Sequence, residues 1–370
     1  MKNYTCCQKI FVVIIFLLSL TLNIPIVFGY TIHVPADYST IQAAIDAANH
    51  DDIVLVADGT YINTGQSLGF YGKAITVMSE NGPKNCIIDC GGSGRGVTFA
   101  QGEHEDSVLS GFTITNGFIQ WGMGGAIHCA YSSSPTIMNC IIRGNTAQYG
   151  GGISCGANSG DTSSPTFINC NIFGNTATRS GGGFYVRINT TPTLINCSVT
   201  ANTAENWGGG IYSSDSPSIA ITNCIFWANL PNEIADPSDC TVTYSNVQGG
   251  IAGQGNIDTD PLFVEFSDPD PTNWDLHLQP DSPCIDAGNN DTPSLSEYDI
   301  DWDNRKIDSP LVGDTGNGIP PIVDMGPDEF VVCVGDFDED DDVDGSDLTE
   351  FIMNRIQFGL ARFALVFGSN

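Results

Sequence analysis

Short apolar runs separated by polar turns fill the middle of this chain. Runs such as residues 136–138 and 219–221 are rich in β-branched side chains and are bounded by glycine, asparagine or proline. They are too short for helices, so they predict strands of about three to five residues joined by tight turns.

The runs belong to a repeat. An Asn-Cys pair, a few apolar residues, an asparagine and a glycine cluster recur in the same order, with the cysteine at Cys140, Cys170, Cys197 and Cys224. The spacing is 30, 27 and 27 residues, a period typical of stacked coils that bury an apolar face only against each other. Coils stacked at ~4.8 Å place each strand beside its equivalent, which predicts an all-β fold, a right-handed parallel β-helix solenoid.

Three columns of side chains follow from this stacking. The repeated cysteines should point inward as small apolar filling. The second asparagine of each repeat should form a hydrogen-bonded ladder in the left-handed backbone conformation; its members are Asn145, Asn175, Asn202 and Asn229. The third residue after each cysteine should point outward and could bind carbohydrate on exposed aromatic rings, unless a loop covers it; these residues are Arg143, Phe173, Thr200 and Trp227.

The chain begins with a signal-like segment. Lys2 and Lys9 precede an apolar run from Ile10 to Leu22 that is too short to span a bilayer, so residues 1–29 predict a secretory signal peptide and a secreted or cell-surface protein with no membrane insertion after cleavage. Eleven cysteines remain after cleavage, an odd number, so at least one stays unpaired. Bridges between Cys86 and Cys90, or from Cys129 or Cys155 to a neighbour, remain open alternatives.

Residues 30–61 predict a helix capped by Ser39 or Thr40, followed by a first strand from Ile53 to Val56. A helix here is expected to cover the open end of the solenoid. This segment, together with the glycine-rich repeats, resembles pectin-lyase-like proteins and many bacterial β-helix repeat proteins. The series from Asn256 to Phe330 is similar to the endings of secreted bacterial β-helix proteins, which implies irregular coils wrapped around the end of the solenoid.

The strongest site signal lies near the C-terminus. A twelve-residue segment carries oxygen ligands at the spacing of a calcium loop, with the backbone carbonyl of Asp342 at position 7; its carboxylates are Asp336, Asp338, Asp340, Asp344 and Asp347. The segment resembles one half of a dockerin, which implies Ca²⁺ binding and a possible cohesin-like partner. It departs from that pattern in having Asp341 where glycine is usual and in being a single copy. A solvated acidic tail is the alternative.

The predicted organisation is therefore a signal peptide (1–29), a parallel β-helix (30–255), an irregular C-terminal cap (256–332) and a dockerin-like EF-hand segment with a small calcium-loop and helix module (333–370). Of the 43 acidic residues, 30 lie beyond residue 230, and the net charge is −31. This charge makes nucleic acid a poor partner and cations good ones. A further acidic cluster, formed by Asp299, Asp301 and Asp303, is interpreted as a surface turn rather than as a cation site.

Few residues of the repeats could catalyse a reaction. Residues 108–230 contain only three carboxylates, and no pair resembles the paired aspartates of a polygalacturonase. The arginines Arg143, Arg179 and Arg187, candidate bases for a lyase, are interpreted as surface residues. The sequence therefore favours a secreted, non-catalytic β-helix for polysaccharide binding or adhesion. The alternative is a polysaccharide lyase or glycoside hydrolase of the pectin-lyase-like superfamily.

Overall fold

The computed structural model describes residues 29–156, 160, 162–215, 217–268, 270–309 and 312–331. The predicted signal peptide, apart from Gly29, and the calcium loop with all six of its ligand residues lie outside this range. Within it there is one α-helix, α1 (Ile41–Ala47), and the remaining regular structure is almost entirely β. No helix in the described residues has the length and apolar character that crossing a membrane requires.

The described residues contain 29 β-strands, numbered in chain order. The first ten are β1 (Thr31–Val34), β2 (Ile53–Val56), β3 (Gly59–Ile62), β4 (Leu68–Gly69), β5 (Thr76–Ser79), β6 (Cys86–Asp89), β7 (Val97–Phe99), β8 (Val108–Ser110), β9 (Thr113–Thr115) and β10 (Phe118–Met123). The next ten are β11 (Ile127–Cys129), β12 (Thr136–Met138), β13 (Ile141–Arg143), β14 (Thr146–Tyr149), β15 (Ile153–Cys155), β16 (Thr166–Ile168), β17 (Asn171–Phe173), β18 (Thr176–Ser180), β19 (Phe184–Val186) and β20 (Thr193–Ile195). The last nine are β21 (Ser198–Thr200), β22 (Thr203–Ala204), β23 (Ile211–Ser213), β24 (Ile219–Thr222), β25 (Ile225–Trp227), β26 (Cys240–Thr243), β27 (Asn246–Val247), β28 (Phe263–Glu265) and β29 (Asp275–Leu278). Two 3₁₀ turns, Pro237–Asp239 and Pro271–Asn273, complete the regular structure of the described residues.

These strands stack into parallel sheets, as the repeat predicts. Sheet A runs β1-β2-β5-β8-β12-β16-β20-β24-β26, and sheet B runs β3-β6-β9-β13-β17-β21-β25-β27. Sheet C runs β4-β7-β11-β15-β19-β23, and sheet D runs β10-β14-β18-β22. Every neighbouring pair in these sheets is parallel, and the chain advances by one coil between neighbours. The predicted parallel β-solenoid is confirmed.

Helix α1 lies where the sequence predicts it. The Thr40 hydroxyl accepts a hydrogen bond from the Ala43 amide at 3.2 Å, and the apolar stripe that includes Ile41 and Ile45 is buried. One expectation was wrong, because strand β1 precedes the helix and pairs with β2, so Ile53–Val56 is the second strand.

The repeated cysteines are fully buried in one apolar core with the inward residues of the strands, which confirms their predicted role as filling. Cys86 and Cys90 are free thiols within the same core, so the bridge considered between them is absent.

The predicted asparagine ladder is present and fully buried apart from its last member. The side-chain amide of Asn145 donates to Asn175 Oδ1 at 3.0 Å, Asn175 donates to Asn202 at 2.9 Å, and Asn202 donates to Asn229 at 3.0 Å. The same oxygens accept from backbone amides of the preceding coil, and each side-chain amide also donates to a strand carbonyl. Glu233 ends the ladder by accepting from the backbone and side-chain amides of Asn229.

The left-handed conformation, however, belongs to a different asparagine column. The positive φ angles, between 49° and 56°, occur at the first asparagine of each repeat, namely Asn139, Asn169, Asn196 and Asn223. In the ladder, the residue before each asparagine turns the chain instead, as Gly144 and Gly174 do with φ near 60°. The ladder asparagine itself therefore needs no left-handed backbone conformation for its side-chain amide to point along the stack.

The C-terminal segment first stacks on the end of the solenoid, where residues 256–259 contact strands β26 and β27, and then lies along the side of the solenoid. The family resemblance implied that the whole segment wraps around the end. The segment contains one antiparallel hairpin, β28 with β29, and otherwise turns. The first-asparagine column holds it, since Asn169 donates to the Tyr298 carbonyl at 2.8 Å, Asn196 to the Asp324 carbonyl at 3.1 Å and Asn223 to the Asn289 carbonyl at 3.2 Å. A second apolar cluster fills the space between this segment and sheet B.

A buried arginine reinforces the attachment. The Arg305 guanidinium is 1% exposed; it pairs with Glu329 at 3.3 Å and donates to Asn169 Oδ1 at 2.8 Å and to the Pro327 carbonyl at 2.6 Å. Arg305 therefore links the segment to the asparagine column on which the segment lies.

We predict that Asn175→Ala destabilises the protein strongly. The Asn175 side chain makes four hydrogen bonds inside the ladder, and at ~1 kcal/mol each, their loss should lower the free energy of unfolding by roughly 2–4 kcal/mol. Chemical denaturation measures this change. Asn206→Ala, at an exposed position of the next coil, is the control and should change little. Equal effects of the two substitutions would show that the ladder is not a source of stability.

Candidate functional site

The outward column of sheet B is present but mostly covered. Arg143, Phe173, Thr200 and Trp227 are aligned in register on neighbouring strands, while the residues before them point into the core. Phe173 is only 5% exposed because it packs in the second apolar cluster with the C-terminal segment, and Thr200 is fully buried. Arg143 and Trp227 stay partly exposed, so a loop covers part of the column, and carbohydrate binding there stays a prediction.

A cleft remains at one end of this contact. It has a volume of about 390 Å³ and lies between the outer face of sheet B and strand β29. Arg143 and Phe173 of the predicted stripe line it, and the C-terminal segment contributes Trp274 and a group of charged residues. The Phe173 and Trp274 rings are 5.8 Å apart, which gives the cleft an aromatic wall.

The charged group is centred on His277. Strand β29 alternates, so Leu276 and Leu278 are buried against the second cluster while Asp275 and His277 face the cleft. One ring nitrogen of His277 bonds to Asp275, and the other lies 2.8 Å from Asp301 Oδ2 and 3.8 Å from Asp328. Lys84, two residues before the facing strand β6, reaches Asp301 Oδ2 at 2.8 Å.

The pKa values in this group are pushed apart. Hydrogen bonds to Asp275 and Asp301 raise the pKa of His277 to about 11, so the imidazole is a cation at neutral pH. Although burial alone would raise the pKa of Asp301, its bonds to His277 and Lys84 lower it to about 2. Burial raises the pKa of Asp328 to about 7, opposed in part by the positive charge of His277.

His277, Asp301 and Asp328 bring one possible ligand atom each within 4.8 Å of one another. Both ring nitrogens of His277 are bonded to carboxylates, and Asp301 is also bonded to Lys84, which is the arrangement of an ion-pair network. The network joins the C-terminal segment to Lys84, just before strand β6.

Arg143 is half-buried in the cleft. Its guanidinium makes no hydrogen bond or close ion pair with any described residue, and its nearest electrostatic influence is Asp270. Desolvation lowers its pKa from the usual value but leaves it charged. Five donors facing a cleft can bind hydroxyl or carboxylate oxygens of a ligand. The structure therefore places Arg143 in a cleft and not on an open surface, and its role in binding or catalysis stays a prediction.

The acidic cluster at 299–303 divides into separate roles. Asp299 is buried, and its carboxylate accepts hydrogen bonds from the backbone amides of Asp301, Asp303 and Glu329. Asp301 belongs to the cleft, and Asp303 is exposed. The predicted turn is present, and the three carboxylates do not converge on one point.

Sequence reasoning missed two features. The cleft joins Lys84 to Asp301 across 217 residues, and no local spacing indicates such a contact. The other feature is a row of aromatic rings, Tyr149, Tyr185, Tyr212 and Trp207, with centroids 4.8 to 6.1 Å apart. Alignment on the glycine clusters could have found this row, since Tyr185 and Tyr212 occupy the same position of successive coils. Tyr185 is buried, whereas Trp207 at the end of the row is 58% exposed. Ring pairs at these distances stabilise the face on which they stack.

A protein-family model described as right-handed beta helix region matches residues 38–226 and, in an overlapping match, 110–256. Two solved structures are similar. Pectate lyase Pel9A has a TM-score of 0.46 and 15% identity, covering 84% of this chain and 98% of that one. The deglycosylated pectin methylesterase from Aspergillus niger has a TM-score of 0.33 and 16% identity, covering 62% of this chain and 82% of that one. No match was found among curated proteins.

We predict a specific pH dependence of stability from the His277 network. The pKa of His277 is raised from 6.5 to about 11. The contribution of its charged imidazole to the stability of the fold is therefore complete below pH 6.5 and is lost as the pH rises through 11. The pKa of Asp301 is lowered from 3.8 to about 2, so its contribution is present above pH 3.8 and is lost as the pH falls through 2. The difference in Tm between wild type and His277→Gln should be largest between about pH 4 and 6.5 and should shrink toward pH 10.

Thermal unfolding followed across this pH range measures the difference. His104→Gln, at an exposed position, is the control and should give no such profile. A difference for His277→Gln that stays constant from pH 5 to 10 would contradict a role for the charged imidazole.

Proposed function

We propose, because this chain belongs to the right-handed β-helix family, that it is a secreted, non-catalytic β-helix protein that binds polysaccharide in the cleft between sheet B and strand β29. The observation that carries this proposal is the half-buried Arg143 guanidinium, which faces the cleft beside the rings of Phe173 and Trp274 without a partner among the described residues. Sugars combine apolar ring faces with many hydroxyl groups. An aromatic wall and a charged donor therefore match both parts of such a ligand.

The rest of the chain has supporting roles in this proposal. Residues 1–29 direct secretion, and helix α1 covers the N-terminal end of the solenoid. The segment 336–347 binds Ca²⁺ as a dockerin-like loop and attaches the protein to a cohesin-like or other cell-surface partner. The ligand spacing in the sequence is the support for this last role.

The charges in the cleft favour binding over catalysis. A glycosidase needs one carboxylate free to attack or to activate water while the other donates a proton. Asp301 has the lowered pKa that a nucleophile requires, but its Oδ2 atom is held by both Lys84 and His277. These two cations neutralise the oxygen and fix its position on the protein.

We predict that Arg143→Gln weakens polysaccharide binding by roughly 10- to 100-fold, the cost of losing a charged hydrogen-bond donor. A polysaccharide array followed by calorimetry on the best ligand measures this change. Arg179→Gln, an exposed arginine near the stacked tyrosines, is the matched control and should bind as wild type does.

The variant Trp207→Ala distinguishes binding in the cleft from binding on the aromatic row. Trp207 is 58% exposed and lies at the end of that row. Loss of binding in Trp207→Ala with full binding in Arg143→Gln would place the ligand on the aromatic row and refute the cleft.

A polysaccharide lyase or hydrolase is the second candidate, and the opposed pKa shifts of Asp301 and Asp328 favour it. In that case Asp328, with a pKa of about 7, would be the proton donor. We expect the wild-type protein to release neither new reducing ends nor unsaturated sugars from any polysaccharide that it binds. Product release that Asp328→Asn abolishes, with binding retained, would establish the enzyme instead.

A further inference from the structure

A second group of carboxylates lies away from the cleft, in the C-terminal segment. Asp286, Asp308 and Asp314 bring one oxygen each within 4.8 Å of one another. Asp308 and Asp314 are exposed, whereas Asp286 is fully buried. The group therefore consists of one interior carboxylate with two more at its solvent side.

The Asp286 carboxylate differs from the other buried acids of the segment. Both of its oxygens are buried and make no hydrogen bond of ordinary geometry; the backbone amide of Ser309 is close enough to favour the charged form but does not complete such a bond. The buried Asp299 accepts three backbone amides, and Glu329 has Arg305. An interior carboxylate with so little hydrogen bonding is costly, because most of its lost hydration is not replaced.

The backbone fixes this carboxylate in place. The Asp286 amide donates to Asp324 Oδ1 at 2.7 Å, and its carbonyl accepts from the amides of Thr315 and Gly316 at 2.9 and 3.0 Å. Asp314 directly precedes this contact, so the two carboxylates are held on facing turns by main-chain hydrogen bonds. The oxygen donors are therefore arranged before any ligand arrives.

Burial, together with the negative charges of Asp308 and Asp314, raises the pKa of Asp286 to about 6, opposed in part by the backbone amide of Ser309. Only a cation relieves both the burial and the mutual repulsion of three acids while leaving all of them ionised. Among the described residues, no cationic side chain contributes to the electrostatics of Asp286.

We propose that Asp286, Asp308 and Asp314 bind a calcium ion that joins the turn at residue 286 to Asp308 and to the turn at residues 314–316. The donors are all oxygens, which suits a hard cation and not zinc. Calcium accepts six to eight oxygens in flexible geometry, so three carboxylates completed by water are sufficient, whereas magnesium demands a nearly ideal octahedron. This site is separate from the calcium loop predicted at 336–347 and does not depend on polysaccharide binding.

The test uses the full mature chain carrying Asp336→Ala and Asp347→Ala, which removes the predicted calcium loop from the measurement. We expect calcium chloride, added to the EDTA-treated protein at about 10 mM, to raise Tm by roughly 2–6 °C, as a site with Kd of ~0.1–1 mM would. Adding Asp286→Asn or Asp314→Asn should abolish this rise. Asp281→Asn, an exposed aspartate of the same segment, should leave it unchanged.

The behaviour without calcium gives a second readout. In EDTA, Asp286→Asn should have a Tm at least equal to that of its parent, since the substitution removes an uncompensated buried charge. The exposed Asp314→Asn keeps the test valid if the buried variant folds poorly. The proposal is refuted if calcium produces no rise in the parent, or if the rise persists in Asp314→Asn.

Discussion

Side-chain amides that bond from one coil to the next are the interaction on which this structure depends. A thin coil of short strands leaves turn amides and carbonyls inside the protein with no strand partner, and such groups must be satisfied. The asparagine side chain carries both a donor and an acceptor. One asparagine at the same position of every coil can therefore bond to backbone groups of its own turn and of the turn in the adjacent coil. The ladder through Asn145 and Asn202 does this within the core. The column through Asn169 and Asn223 does it at the opposite end of the sheet B strands, where its amides bind the C-terminal segment.

The period of the sequence is enough to predict the solenoid, because identical positions of stacked coils must meet. The inward cysteines, the ladder and helix α1 follow from local pattern and are present. The left-handed asparagine was assigned to the wrong column, since both columns keep the same period and periodicity alone does not report φ. The stripe at Phe173 was expected to be exposed because the irregular segment carries no repeat that would show where it packs. The cleft could not be predicted for the same reason: Lys84 and Asp301 meet only once that segment lies along the solenoid.

The acidic composition of the C-terminal half has a structural use within the described residues. Its carboxylates act as acceptors that organise a segment poor in regular structure. The Asp299 carboxylate accepts hydrogen bonds from three backbone amides, and the Asp324 carboxylate accepts them from the amides of Asp286 and Phe330. Each such bond replaces a ladder bond that a strand would have made. These hydrogen bonds give the segment a defined backbone path although it has few strands. The defined path holds Trp274 and His277 opposite sheet B.

The attachment of the C-terminal segment also fixes the number of coils in the part of the solenoid that it contacts. Repeat arrays readily gain or lose whole coils, because a duplicated coil meets the same neighbours as before. Here the segment contacts Asn169, Asn196 and Asn223 on three successive coils and places Asp301 at Lys84. A coil inserted between Lys84 and Asn169 would separate these contacts by one coil height, about 4.8 Å, and the segment could satisfy only one set of them. The number of coils in that stretch is thus fixed by a side contact, while the coils themselves would tolerate any number.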